Sequence, residues 1–187
     1  IAPPIPFDEY WHHIWAADSD NRQKEFVWRL AHRVLPTKNL LRRWGIQTAP
    51  SCPFCTTYED LHHALVSCYR AKQLWTDMDP LIRNVAGRKV PIRLETIAFG
   101  RHLPEQEQRH RLAYFIIVTT AYILWNTRNK IVAGGQDNVG KLKERVIGQI
   151  KTRVKTEDRI NKKRVAEFWG YEHILLEYRQ GTLEFHF

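Results

Sequence analysis

The chain has 187 residues, with 29 Lys and Arg against 20 Asp and Glu, a formal net charge of +9. At 43% hydrophobic and 26% charged residues it has the composition of an ordinary folded domain, which excludes intrinsic disorder, collagen-like structure and an integral membrane protein. The basic excess points to a polyanionic partner, nucleic acid being the commonest, and names no activity by itself.

In chain order, the first 21 residues carry Asp8, Glu9, Asp18 and Asp20 and neither Lys nor Arg. Within them, Tyr10 to Ala17 reads as a helix. The opening Ile-Ala-Pro-Pro-Ile-Pro and the single methionine, Met78, suggest a piece processed or excised from something longer. No secretory signal pattern is visible. Residues 22–35 set Phe26, Trp28 (or Val27), Leu30 and Val34 at helical spacing, and Pro36-Thr37 breaks the chain. Thr37 is suited to cap a short helix through Trp44, which Gly45 ends. From Arg22 to Arg43 there are seven Lys or Arg and one Glu, a basic segment containing Arg29, Arg33, Lys38, Arg42 and Arg43.

Cys52-Pro-Phe-Cys55 gives C-x₂-C, the spacing at which one tight turn brings two thiolates to a common ion. His63 and Cys68 add H-x₄-C, making C-x₂-C-x₇-H-x₄-C, a Cys₃His set suited to one structural Zn²⁺. The set consumes all three cysteines of the chain; an odd, clustered count is a poor disulfide framework and favours a reducing, intracellular setting. Four protein ligands leave no open position for hydrolytic chemistry. His62 lies beside His63, and spacing prefers His63 while leaving His62 as the alternative ligand, a hydrogen-bonding neighbour or a surface residue. His12, His13 and His32 show no convergent spacing and read as surface or core-edge residues.

After the cysteines, Tyr69 to Met78 suits one helix and Pro80 to Ala86 a second, with residues 88–93 a loop. Residues 104–133 read as a single long helix, opened by Pro104 and acidic residues and closed at Ala133-Gly134-Gly135. Its apolar run from Leu112 to Trp125 is 14 residues, shorter than the roughly 20 that span a bilayer. A further helix is expected over 138–166, with Leu142, Val146, Ile150 and Val154 on one face, Val139 and Ile147 extending it, and Lys141, Arg145, Lys151, Lys155, Arg159, Lys162 and Lys163 opposite. Residues 141–164 hold ten Lys or Arg against three acids. Such a face is ordinarily only solvated, but one sign over about six turns favours a polyanion-binding surface. Residues 174–187 alternate about Gln180-Gly181 and read as a terminal β-hairpin.

The fold class is therefore mainly α: a helical domain with an embedded CCHC zinc knuckle and a short C-terminal β-hairpin. Its organisation divides into an acidic segment 1–21, a zinc-knuckle helical domain 22–90, and a C-terminal helical region 91–187 carrying the basic helix 138–166. No nucleophile elbow, phosphate-binding glycine loop or H-E-x-x-H occurs, and no set of carboxylates suits a two-metal nuclease, so the chain is not expected to be an enzyme.

The segment Phe26-Val-Trp-Arg-Leu-Ala-His-Arg-Val-Leu-Pro-Thr-Lys-Asn-Leu-Leu-Arg-Arg-Trp-Gly-Ile46 leads into Cys52-Pro-Phe-Cys55, Glu59-Asp-Leu-His-His63, Cys68 and Ala71-Lys-Gln-Leu-Trp75. In order and spacing this stretch of about 50 residues resembles the zinc-binding region downstream of reverse transcriptase in LINE-type, non-LTR retrotransposons. Leu124-Trp-Asn-Thr-Arg-Asn129 also looks like a W-x-x-R-N helix of such elements. Where that family often has Gly after the second cysteine, Thr56 stands here.

The resemblance implies His63 as the ligand, and a C-terminal piece of a polyprotein with endonuclease and reverse-transcriptase domains upstream. It also implies RNA and/or target DNA as partners in target-primed reverse transcription, with no membrane and no small-molecule substrate. An intracellular location follows, in the nucleus after a cytoplasmic ribonucleoprotein stage. On this reading zinc fixes the knuckle against the Phe26–Trp44 helices, the 141–163 face tracks a nucleic-acid backbone, and Phe54 and Tyr58 stand near the knuckle tip where unpaired bases could stack. The rival reading is a zinc-stapled protein-docking platform whose charge is incidental.

Overall fold

The computed structural model describes residues 18–136 and 139–187; the Tyr10–Ala17 helix expected from sequence lies outside them. Helix α1 (Asn21–Ala31) starts on a reciprocal cap: Asp20 accepts from the Gln23 backbone N–H, and the Gln23 side chain accepts from the Asp20 N–H. It ends earlier than the apolar spacing suggests. Arg33 takes a left-handed φ of 57°, which turns the chain so that Leu35 is buried while Val34 is exposed. The buried face is Phe26, Val27 and Leu30, with Trp28 pointing outward. Thr37 caps α2 (Lys38–Arg43) through the Leu40 N–H.

A π-helical turn (His63–Ser67) then leads into α3 (Tyr69–Ala86), one continuous helix where the sequence suggests two. Pro80 lies inside it. A proline there removes one i→i−4 hydrogen bond and crowds the preceding turn, but Leu74, Trp75, Met78, Ile82 and Val85 are all buried on the same helix. Tertiary packing on both sides of the proline holds the two halves in line. Gly87, with φ 71°, closes the helix in the left-handed conformation that glycine adopts without strain. After the loop 88–93 comes a short helix that the sequence pattern does not announce, α4 (Leu94–Phe99), with Ile97 and Ala98 buried.

Helix α5 (Glu107–Val132) is the axis of the molecule. Gln106 is its cap, so Pro104 precedes the helix and does not occupy its first turn. From Leu112 to Trp125 only Tyr122 is not fully buried, because α1, α3, α4 and the π-turn all pack on this helix. The two threonines within the apolar run are satisfied: Thr119 accepts from the Gln23 amide at 3.0 Å, and Thr120 donates to the Ile116 carbonyl at 2.7 Å. Among the described residues no helix is long and apolar enough to cross a membrane.

The expected helix over 138–166 is divided. After a 3₁₀ turn (Val139–Lys141), α6 (Leu142–Ile160) buries Leu142, Val146, Ile150 and Val154 against α5 and α3, as their four-residue spacing predicts. Asn161 then leaves helical geometry (φ −154°, ψ 88°), and its side chain accepts from the Arg164 N–H to start α7 (Lys162–Phe168). A broken helix lets Val165, Phe168 and Trp169 fold back into the core, where Trp169 meets Phe115 edge-on at 4.9 Å. Strands β1 (Leu176–Arg179) and β2 (Thr182–Phe185) form the antiparallel terminal hairpin in the register Leu176↔Phe185, with Gln180 and Gly181 at φ 49° and 79° as its two turn residues.

Candidate metal centre

Two pieces of backbone build the site. Ser51 and Tyr58 pair as an antiparallel bridge, the Cys52 N–H donates to the Thr57 carbonyl at 2.8 Å, and the Glu59 N–H donates to the Pro50 carbonyl at 2.9 Å. This miniature hairpin turns Cys52 and Cys55 inward. Thr56 accommodates the turn without a positive φ, so no glycine is required there.

The other pair comes from the π-turn. Residues five apart on a regular α-helix point about 140° away from one another. Here the Cys68 N–H donates to the His63 carbonyl at 2.9 Å, an i→i+5 bond that widens the turn and brings the two side chains onto one side. Asp60 anchors its start by accepting from the His63 N–H at 2.7 Å.

The four ligand atoms lie within 4.8 Å of one another, with Cys52, His63 and Cys68 buried and Cys55 half-buried. The Cys52 and Cys68 sulfurs are 3.7 Å apart, and the Cys55 sulfur lies 3.3 Å from His63 Nε2. A tetrahedral ion with metal–sulfur bonds of about 2.3 Å sets its sulfurs about 3.8 Å apart. The donor set is soft, closed and already at zinc spacing, so the four residues are arranged to hold one Zn²⁺ with no position left for substrate. His62 is exposed; the structure brings His63 to the cluster.

The Cys52 and Cys68 sulfurs lie within hydrogen-bond reach of each other. Cys68 is lowered to about 7 by the hydrogen bond with Cys52; burial opposes this, while the Arg70 and Ala71 backbone N–H groups at the head of α3 assist. Cys52 is pushed upward as the partner that keeps the hydrogen and by burial. Zinc is held by thiolates, so ligation displaces the thiol hydrogens.

Around the ion site lies a buried ion pair that sequence patterning did not reveal. Arg128 of the W-x-x-R-N segment reaches Glu59, between the second cysteine and the histidine, through Nε to Oε2 at 3.1 Å and through Nη2 to Oε1. Both side chains are almost fully buried, at 3% and 0% exposure. Glu59 also accepts from the Lys38 N–H at 2.9 Å, while Arg128 donates to the Pro36 carbonyl and to Asn129 Oδ1 and lies over the Trp125 ring. One carboxylate thus ties the zinc hairpin, the start of α2 and the axial helix together. The two residues stand in separate quoted segments, and nothing in their 69-residue separation says that they meet.

The expected nucleic-acid residues fall into separate groups. Lys38, Arg42 and Arg43 lie on α2, joined to the zinc hairpin by the Asn39 N–H, which donates to the Glu59 carbonyl, and by the Tyr58 hydroxyl, which donates to Asn39 Oδ1. Arg42 and Arg43 are exposed. Arg29 on α1 is exposed and paired with Glu25, and Arg33 is exposed in the following turn.

On α6, Arg145, Lys155 and Arg159 are exposed, but Arg145 also donates to Thr127. Lys151 is half-buried over the Phe185 and Phe187 rings, so it serves the hairpin more than an open face. The Asn161 break carries Lys162 and Lys163 onto α7, with Lys163 paired to Glu167, while Lys141 precedes α6 in the 3₁₀ turn. The single basic face expected over 141–163 is therefore distributed over two helices and a turn. Of the two candidate stacking residues, Phe54 is packed against the core and Tyr58 is 50% exposed. Trp44, which in the sequence ends a short helix and belongs to the Phe26–Ile46 segment, is 56% exposed beside Arg42 and Arg43.

Residues 4–75 match the model of a family described as zinc-binding in reverse transcriptase, a span that contains all four ligands. Together with the ligand geometry, the match supports a zinc-binding module associated with reverse transcriptase. No curated protein and no solved structure matches the chain.

Proposed function

We propose that the chain is a non-catalytic, zinc-stapled nucleic-acid-binding module of a LINE-type, non-LTR retrotransposon polyprotein. It would grip element RNA or target DNA during target-primed reverse transcription, beside the reverse-transcriptase domain of the same polyprotein. The proposed setting is intracellular and nuclear, reached through a cytoplasmic ribonucleoprotein.

The observation that carries this reading is the juxtaposition on α2. Exposed Arg42 and Arg43 stand next to an exposed Trp44, on a helix hydrogen-bonded to the zinc hairpin. Guanidinium groups neutralise phosphates, and an exposed indole stacks on an unpaired base. The closed Cys₃His donor set supports a structural role for the metal. Structured RNA is the preferred ligand, because the arrangement offers cations and an aromatic face without a helix suited to read a duplex groove.

The test is fluorescence anisotropy of the zinc-loaded chain against a structured RNA hairpin and a matched DNA duplex at stepped salt. Tight, salt-dependent binding with preference for RNA supports template capture, and preference for DNA moves the proposal to target gripping. Absence of binding to either overturns it. In that event the docking platform gains, and it has an observation of its own: Trp28, Val34, Trp44 and Ile46 are all exposed.

A further inference from the structure

Between α1 and α5 lies a cleft of about 300 Å³ lined by Arg22, Glu25, Arg29, Tyr122, Asn126 and Asn129, with Phe26, Leu35 and Trp125 as its floor. Its walls are chemically divided. Two exposed guanidinium groups lie on the α1 side, and two amides and a half-buried tyrosine on the α5 side. Phe26 holds the Tyr122 ring edge-on at 5.8 Å.

The Asn129 amide is oriented by the buried ion pair. Arg128 Nη1 donates to Asn129 Oδ1 at 2.9 Å, so the oxygen is committed and the NH₂ remains as the donor. Asn126, one turn earlier on α5, has an exposed side chain. The W-x-x-R-N segment therefore has two uses. Trp125 and Arg128 build the interior, while Asn126 and Asn129 face the cleft.

We infer that this cleft receives one unpaired nucleotide of a single-stranded nucleic acid, with the base against Tyr122, its edge on the Asn126 and Asn129 amides, and the flanking phosphates on Arg22 and Arg29. The volume sits at the lower end for ligand pockets and suits a single base. Paired cations fit phosphodiesters, an aromatic wall fits a base face, and two amides, that of Asn129 held by Arg128, fit a base edge. Glu25 limits the charge gained on the α1 side, since it already pairs with Arg29 at 2.6 Å; the amides and the ring therefore carry the selectivity for unpaired over paired strands. This inference rests on the nucleic-acid reading above, but it concerns a surface apart from Arg42, Arg43 and Trp44.

The test compares binding of a fluorescein-labelled single-stranded RNA hexamer and a blunt RNA duplex to the full, zinc-loaded chain and to Asn126→Ala, a surface change that leaves the core intact. The expected result is about a tenfold loss for the hexamer, corresponding to roughly 1.4 kcal/mol, with the duplex unaffected. Photo-crosslinking of a 4-thiouridine hexamer should label Tyr122 or Trp125. Unchanged hexamer affinity in Asn126→Ala, or crosslinks confined to Trp44, overturns the cleft assignment while leaving the general reading intact. Failure of both RNAs to bind the parent chain overturns the general reading, and the cleft assignment falls with it. Occupation of the cleft by polyglutamate but not by the hexamer also overturns the assignment.

Discussion

At the scale of single residues, the metal ligands and the buried ion pair illustrate two kinds of legibility. The cysteines were readable because zinc demands fixed donors at short spacing, and all three lie within one stretch of 17 residues. Spacing and the resemblance already favour His63 over His62, and the π-turn supplies the geometry, making a five-residue step equivalent to one turn. Cys55→Ser or His63→Ala should reduce bound zinc from one per chain towards none, whereas His62→Ala should retain it; metal content by atomic absorption decides this. Retention in His63→Ala and loss in His62→Ala would reverse the ligand assignment.

Glu59 and Arg128 were visible only as letters in motifs, since an ion pair between distant elements leaves no periodic signal. Removing one partner strands a buried charge, so Glu59→Ala and Arg128→Ala should each cost about 3–5 kcal/mol by urea unfolding. The double variant should cost clearly less than the sum of the two. Additive losses would mean that the pair is not coupled.

At the scale of elements, periodicity located most of the helices, missed α4 (Leu94–Phe99) and misjudged several ends. The four-residue spacing of Leu142, Val146, Ile150 and Val154 identified the buried face of α6, because such a pattern reflects packing and survives into the fold. The hairpin was equally plain, since Gln180-Gly181 supplies a turn with two positive φ values between alternating residues.

Two punctuation signals mislead in opposite directions. Pro80 marks a break that packing overrides, and Asn161 gives no warning of a break that its side chain caps. Pro80→Ala restores the missing N–H and should raise stability by about 1–3 kcal/mol. Asn161→Ala should cost about 1 kcal/mol by loss of the α7 cap. Thermal or urea unfolding tests both, and a destabilising Pro80→Ala would contradict the account of α3.

At the scale of the whole molecule, one helix organises everything else. Helix α5 is buried nearly all round over its central run, and its Arg128 clamps the zinc hairpin, so core and metal site are expected to stabilise one another. Chelation of zinc should therefore lower the melting temperature of the whole chain, including the region beyond residue 90, rather than release a local loop only. Differential scanning calorimetry with and without EDTA distinguishes the two. Charge was the least legible property at this scale. A run of ten cations in sequence became several separate patches once Asn161 divided the helix and the hairpin aromatics covered Lys151.

The central claim is that the zinc hairpin presents α2 to nucleic acid, and the most direct measurement is the salt dependence of RNA hairpin binding by Arg42→Glu/Arg43→Glu beside Lys155→Glu/Arg159→Glu. The account predicts that the α2 pair weakens binding more, and that it flattens the logarithmic salt slope by roughly 0.7–0.9 for each phosphate that is no longer neutralised. Zinc content should be unchanged, since neither arginine touches a ligand. An α2 variant that binds RNA with the parent affinity and the parent slope would contradict it.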